Sequence, residues 1–119
     1  MSSQDKKDNL IVQLTFKFSL DAIDFSEVIY EKRRYRMADQ IFGSCTSIGA
    51  NVREAQNSRT KNEFISKLKI GLQEADEAEY WLLLCKESKF YPDSSHLLLQ
   101  LESIQKVLNK IIASSNRNL

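Results

Sequence analysis

Two groups of side chains in this sequence have types and spacings that could do chemistry. The first is a pair of carboxylates, Glu74 and Glu77, which lie three residues apart and could serve a hydrolase as general acid and base. The second is a set of cations near aromatic rings, which could hold phosphates and stack bases. These cations fall in two clusters, Lys32, Arg33, Arg34 and Arg36, followed by Arg53, Arg59 and Lys61.

The inventory of reactive side chains argues against an enzyme. A carboxylate-bridged di-metal bundle needs two Glu-x-x-His pairs, whereas the chain has one histidine, His96, and its setting indicates exposure. A Ser-His-Asp or Cys-His set would have to use the same His96, and no Walker or GxGxxG motif occurs. The sequence therefore predicts no catalytic residue, no metal, no cofactor and no small-molecule substrate.

The two cysteines, Cys45 and Cys85, fall on apolar helical stripes and have no CxxC partner. We predict that both are buried, reduced thiols, which favours a cytoplasmic location. No apolar run approaches the roughly 18 residues that a membrane span needs, so no membrane association is expected.

Long helices must position these side chains, because 3 Gly and 1 Pro in 119 residues are too few for the turns of an all-β domain. Apolar residues step by three and four along four segments. The first helix should begin between Asn9 and Thr15 and end near Lys32, and the second should carry Met37 to Ala55. The third should start at a Thr60–Glu63 capping box and run to about Lys89. The fourth should follow Pro92, with Asp93 or Ser94 as its cap, and fray at Ser114.

Short connections between these segments predict an all-α fold, an antiparallel up-down-up-down four-helix bundle. We assign residues 1–9 to a flexible tail, 10–114 to a single domain and 115–119 to a frayed C-terminus. Gly43 and Gly49 lie inside the second helix, where each should cost about 1 kcal/mol relative to Ala unless a neighbouring helix needs the space. We expect both glycines to allow such an approach.

A polar row on the second helix predicts a network between helices. Gln40, Ser44, Ser47, Asn51 and Glu54 share one face beside the apolar stripe. Buried carboxylates need hydrogen-bond partners, so we expect this row to satisfy carboxylates of the third helix. The predicted network consists of Ser44, Ser47, Asn51, Glu54, Glu74 and Glu77; acid–base chemistry and a solvated face are the alternatives.

Successive connections of an antiparallel bundle lie at opposite ends, so the two cation clusters should mark opposite ends. Tyr35 and Tyr91 should lie with the first cluster. The alternative is a rim of cations that serves only solubility. A net charge of +1 excludes a strongly basic chain that would coat nucleic acid indiscriminately.

Two motifs carry a family resemblance: residues 43–55, GSCTSIGANVREA, and residues 62–82, NEFISKLKIGLQEADEAEYWL. They resemble the bacterial four-helix-bundle family that includes proteins encoded in intervening sequences of large-subunit ribosomal RNA genes. The chain is also similar to the accessory variability protein of diversity-generating retroelements. The resemblance implies a ring-shaped homopentamer that binds RNA or DNA or partners a reverse-transcriptase-like protein. Gly43, Gly71 and Gln73 depart from the family pattern, which has Arg, Ala and Lys there.

Apolar residues outside the main stripes fit an oligomer independently, because they give the helices a second surface to bury. They include Phe16, Ile23, Val28, Ile65, Leu72, Leu83, Leu98, Leu99 and Val107. We therefore predict a non-enzymatic homo-oligomer that binds nucleic acid or a nucleic-acid enzyme through its basic connections. The alternative is a purely structural or protein-interaction oligomer.

Overall fold

A computed structural model of the chain describes residues 3–117, with side chains for residues 10–116. Over that range it forms four α-helices and no strand: α1 (Ser3–Glu31), α2 (Tyr35–Ala55), α3 (Lys61–Glu87) and α4 (Ser95–Arg117). Each helix follows the spacing of three and four between apolar residues, because that spacing gives a helix one continuous apolar face. The predicted all-α fold is confirmed.

The four helices pack as an antiparallel bundle 47 Å long and 21 Å across. α2 packs between α1 and α3, and α4 closes the square by packing on α3 and α1; the diagonal pairs make no close backbone contact. Large side chains such as Phe18, Ile48 and Leu101 are fully buried along the centre. Burial of each stabilises the fold by about 1.5–3 kcal/mol. The up-down-up-down prediction is confirmed.

Gly49 sets the close packing of α2 against α1, whereas Gly71 has ordinary room for a Cβ atom. A Cβ atom at Gly49 would lie 3.3 Å from Ser19 Oγ and 3.4 Å from the carbonyl oxygen of Thr15, so the missing side chain lets α1 approach. A Cβ at Gly71 of α3 would lie 3.6 Å from the carbonyl oxygen of Ile48. Gly43 differs from the prediction, because a Cβ there would meet no described atom within 4 Å. It faces away from the bundle, so no neighbouring helix explains this glycine.

The helix ends confirm the predicted capping chemistry. Thr60 Oγ1 accepts a hydrogen bond from the Glu63 amide at 3.1 Å, as a capping box requires. The Glu63 carboxylate reaches back to the amide of Arg59 at 3.3 Å. At the start of α4, Asp93 accepts from the amide and hydroxyl of Ser95, whereas the buried Ser94 hydroxyl donates to the Leu82 carbonyl of α3 at 2.6 Å.

The outer helices are longer than their apolar stripes. α1 includes residues 3–9, which we assigned to a tail, and α4 continues past Ser114 to Arg117. The assigned tail and frayed terminus also include residues 1–2 and 118–119, which lie outside the described residues.

Candidate nucleic-acid interface

The first cation cluster lies on the tight connection between α1 and α2. The Arg33 amide donates to the Tyr30 carbonyl at 2.9 Å, and the Arg34 amide donates to the Ile29 carbonyl at 3.1 Å. This pair of bonds is a Schellman motif, whose penultimate position is left-handed and usually held by glycine. Here Arg33 occupies it with φ of 63°. The chain thus places an arginine where backbone geometry favours glycine by about 1 kcal/mol.

The connection between α3 and α4 lies beside this cluster. Tyr91 lines a surface depression together with Arg33, Arg34, Tyr35, Arg36 and Met37. The rings of Tyr30 and Tyr35 meet edge to face with centroids 4.7 Å apart. The prediction that Tyr35 and Tyr91 share the end of the first cation cluster is therefore confirmed. We call residues 30–37 and 89–91 the basic–aromatic end.

Phe90 and Lys89 join the basic–aromatic end, although the sequence analysis did not single them out. The Phe90 ring is 57% exposed, and it lies 5.2 Å from the guanidinium carbon of Arg34 and 5.5 Å from Lys89 Nζ. Cations at these distances are attracted to the ring face. The signal was present in the Lys89-Phe90-Tyr91 run, which the antiparallel order places at this end.

The cations of the basic–aromatic end are open to a ligand. Lys32, Arg33, Arg34 and Arg36 are exposed, and none forms an ion pair with an acidic side chain among residues 10–116. Arg34 is also the N-cap of α2; its side chain makes no capping bond, and the first turn of α2 has no acidic residue.

The second cation cluster lies at the opposite end of the bundle. Arg59 and Lys61 flank the start of α3, and Arg53 lines a separate groove between α1 and α2 with Val12 and Phe16. The seven predicted binding residues therefore occupy two surfaces. Only at the first surface does the described structure place cations directly over an aromatic ring, that of Phe90, which makes it the stronger candidate.

The predicted network between α2 and α3 does not form within the described residues. Ser44, Ser47 and Asn51 each donate to a carbonyl four residues earlier in α2, at 2.6–2.8 Å. These local bonds satisfy the side chains within their own helix. The one bond that joins the row to α3 is Lys67 Nζ to Glu54, at 3.3 Å.

The two glutamates predicted for that network lie apart from it. Glu77 accepts from the indole of Trp81, one turn along α3, at 3.4 Å. Glu74 is half-buried and makes no hydrogen bond or ion pair with a side chain that the structure describes. The expectation that Ser44, Ser47, Asn51 and Glu54 satisfy Glu74 or Glu77 is therefore wrong for the single chain, because the α2 side chains turn back on their own backbone.

The remaining reactive side chains form no site over the described range. Cys45 and Cys85 are buried free thiols, as predicted, and burial raises their pKa values to about 12 and about 11. His96 is exposed and stacks edge-on against Phe25, with centroids 6.2 Å apart. Among the side chains of residues 10–116, no grouping of His, Cys, Asp and Glu is able to hold a metal ion. None of α1–α4, over residues 3–117, is long and apolar enough to cross a membrane.

Comparison with known proteins accounts for most of the chain. Residues 7–110 match a family model described as 23S rRNA-intervening sequence protein. A solved structure from Bacteroides thetaiotaomicron VPI-5482, of a protein with unknown function from the S23 ribosomal protein family, is similar with a TM-score of 0.85 and 34% identity. The alignment covers 90% of this chain and 98% of that one. No protein of curated function matches.

Proposed function

The chain belongs to the 23S rRNA-intervening sequence protein family, and from that premise we propose that it is a non-enzymatic, homopentameric bundle protein that binds nucleic acid through its basic–aromatic end. The two buried free thiols support the cytoplasm as its location, and the resemblance noted above supports a reverse-transcriptase-like protein as a further partner. The observation that carries the proposal is the meeting, on two connections, of exposed aromatic rings with arginines that form no ion pair among residues 10–116.

The arginines supply phosphate contacts of the kind that position nucleic acids. Guanidinium groups bind phosphate oxygens through two parallel hydrogen bonds, and Arg33, Arg34 and Arg36 lie within four residues of one another. Since none is engaged by an acidic side chain among residues 10–116, binding a phosphate breaks no ion pair with them. A pentamer would repeat this surface five times, and several weak contacts to one strand add up to useful affinity.

Fluorescence anisotropy with labelled RNA and DNA oligonucleotides at several salt concentrations tests the proposal. The double variant Arg34→Gln/Arg36→Gln should weaken binding about tenfold or more, and it should flatten the dependence of affinity on salt by the lost phosphate contacts. Arg53→Gln/Arg59→Gln is the matched control, because it removes the same charge at the opposite end. No binding at low salt, or equal losses in both variants, contradicts the proposal.

Exposed apolar side chains support the proposed oligomer. Phe16, Leu20 and Leu99 are 51%, 52% and 67% exposed, although each is large and apolar. Light scattering should give a mass five times the 13.8 kDa of one chain. A well-folded monomer at micromolar concentration contradicts this part of the proposal.

A protein-interaction oligomer without nucleic-acid binding is the second candidate, and the same exposed apolar side chains favour it. The two candidates differ in what co-purifies with the protein. Recovery of a protein partner that survives nuclease treatment, together with no anisotropy change, supports the second candidate. Hydrolysis by Glu74 or Glu77 has the least support. Glu77 is bonded to the Trp81 indole, and neither carboxylate belongs to a metal-binding group among the side chains of residues 10–116.

A further inference from the structure

We infer that the basic–aromatic end selects unpaired, single-stranded nucleic acid and holds it by stacking bases on its aromatic rings. This inference rests on the proposed function and specifies the ligand of the same surface. Three observations carry it: the small excess of charge at this end, the exposure of the rings, and the placement of cations over one ring.

The charge at this end is too small to bind duplex backbone by electrostatics alone. Residues 30–37 and 89–91 contain five cationic side chains and one acidic side chain, Glu31. The excess of four in one copy corresponds to about four phosphate contacts, whereas a protein that holds duplex DNA through its backbone can make about six to ten. Another source of affinity is therefore needed, and the rings provide one.

The aromatic rings of this end are open to a base. Three of the four tyrosines in the chain, Tyr30, Tyr35 and Tyr91, lie here with Phe90. Tyr30 and Tyr35 are 48% and 47% exposed, and Phe90 is 57% exposed. Every base has a π-face that stacks on such rings, but only an unpaired strand can present it, since duplex bases are stacked on each other.

Arg34 and Lys89 place phosphate-binding charge beside a stacking ring. Both lie over Phe90, at 5.2 Å and 5.5 Å from the ring centroid. A nucleotide bound here would stack its base on the Phe90 ring and contact Arg34 or Lys89 with its phosphate. This pairing of an aromatic platform with adjacent cations is how proteins hold single strands without reading their sequence.

The test compares single-stranded and duplex ligands in the full-length protein. Labelled 12-nucleotide oligo-dT and oligo-U, and a 12-base-pair hairpin closed by a non-nucleotide linker so that it has no unpaired base, are titrated against wild type, Phe90→Leu and Tyr35→Leu. Wild type should bind both single strands at least about tenfold more tightly than the hairpin. Each aromatic substitution should weaken single-strand binding about fivefold or more and hairpin binding less than twofold.

Tyr80→Leu is the matched control, because Tyr80 is 58% exposed on α3 and lies outside the basic–aromatic end. It should leave single-strand affinity unchanged. A 2-aminopurine base in the oligonucleotide gives a second readout, since stacking on wild type should quench its fluorescence and Phe90→Leu should reduce that quenching. Unchanged thermal unfolding shows that the variants fold, as substitution of half-exposed side chains should allow.

The outcomes separate this inference from the proposed function. Equal affinity for hairpin and single strand, with losses in Arg34→Gln/Arg36→Gln but none in the aromatic variants, overturns the stacking inference and leaves nucleic-acid binding standing. Absence of binding to every oligonucleotide overturns both. Tighter binding to oligo-U than to oligo-dT, with the same aromatic dependence, supports the inference and identifies RNA as the preferred single strand.

Discussion

Arg34 lies over the ring of Phe90, with its guanidinium carbon 5.2 Å from the ring centroid. The two residues belong to different connections, one between α1 and α2 and the other between α3 and α4. Tyr91, next to Phe90, lines the same depression as Arg34. These contacts join into one surface two segments that are more than 50 residues apart in the chain. The candidate interface is therefore a product of the antiparallel order and not of a linear motif.

Arg33→Gly should stabilise the protein. Glycine adopts the left-handed conformation of this position without the steric penalty that Arg33 bears at φ of 63°. The free energy of unfolding should rise by about 0.5–1 kcal/mol, after allowance for the greater entropy of glycine in the unfolded chain. Urea denaturation measures it. Arg33→Ala is the control, because it removes the same charge but keeps the penalty; equal stabilisation by both would assign the effect to charge.

Gly49→Val should destabilise the bundle by about 1–3 kcal/mol, because its side chain would press on Ser19 and Thr15 of α1. Gly43→Val is the matched substitution at a position with open space, and it should stay within about 0.5 kcal/mol of wild type. Thermal and urea unfolding of the two variants give the comparison. Similar losses at both positions would show that the contact with α1 is not the cause.

Ser94→Ala should lower the free energy of unfolding by about 1–2 kcal/mol. The Ser94 hydroxyl is fully buried and donates to the Leu82 carbonyl, so it ties the start of α4 to α3. Ser103→Ala removes an exposed hydroxyl from the same helix and should change the free energy by less than about 0.5 kcal/mol. If the two variants had the same denaturation midpoint, the hydrogen bond from Ser94 to Leu82 would not be the cause of the loss.

Stability should fall as the pH rises above about 8.5, where thiols of an unfolded chain begin to ionise. Burial raises the folded-state pKa of Cys45 to about 12 and of Cys85 to about 11, so the folded chain keeps its thiol protons longer. The stabilisation is fully present below pH 8.5 and is lost through the range up to about 11, since only the unfolded state gains by ionising.

Urea denaturation between pH 8 and 10.5 measures this loss. The double variant Cys45→Ala/Cys85→Ala retains the titration of tyrosines and lysines but lacks that of the thiols, so its free energy of unfolding should change less steeply with pH. Native wild type should also react slowly with a thiol reagent until denatured. If the free energy of unfolding fell equally steeply with pH in wild type and in the double variant, the two thiols would not be the cause of the loss.

Local patterns predicted the helices and the cap of α3, because the physics that decides them is local. Apolar steps of three and four define a helix face, and Thr60 reaches the Glu63 amide three residues away without help from the rest of the chain. The placement of Tyr35 with Tyr91 also followed from the sequence, since the order of antiparallel helices fixes which connections share an end.

Contacts between helices were harder to predict, and the polar row of α2 shows why. A periodic row identifies a face but not the acceptors that its side chains choose. Ser47 and Asn51 each found a carbonyl one turn back, a partner always within reach in a helix. In the same way, sequence could not distinguish Gly49, which faces α1, from Gly43, which faces outward, because both interrupt the same helix.

The position of the two cation clusters at opposite ends of a 47 Å bundle means that the formal charge of +1 is an average over unlike regions. The cation clusters mark the ends, whereas the middle of the bundle carries acidic side chains such as Glu74 and Asp76 of α3. The cationic ends of two different bundles repel one another. End-to-end stacking into filaments is therefore disfavoured, and side-by-side packing is the easier route to assembly. Added salt should screen this repulsion and so weaken the preference for side-by-side packing.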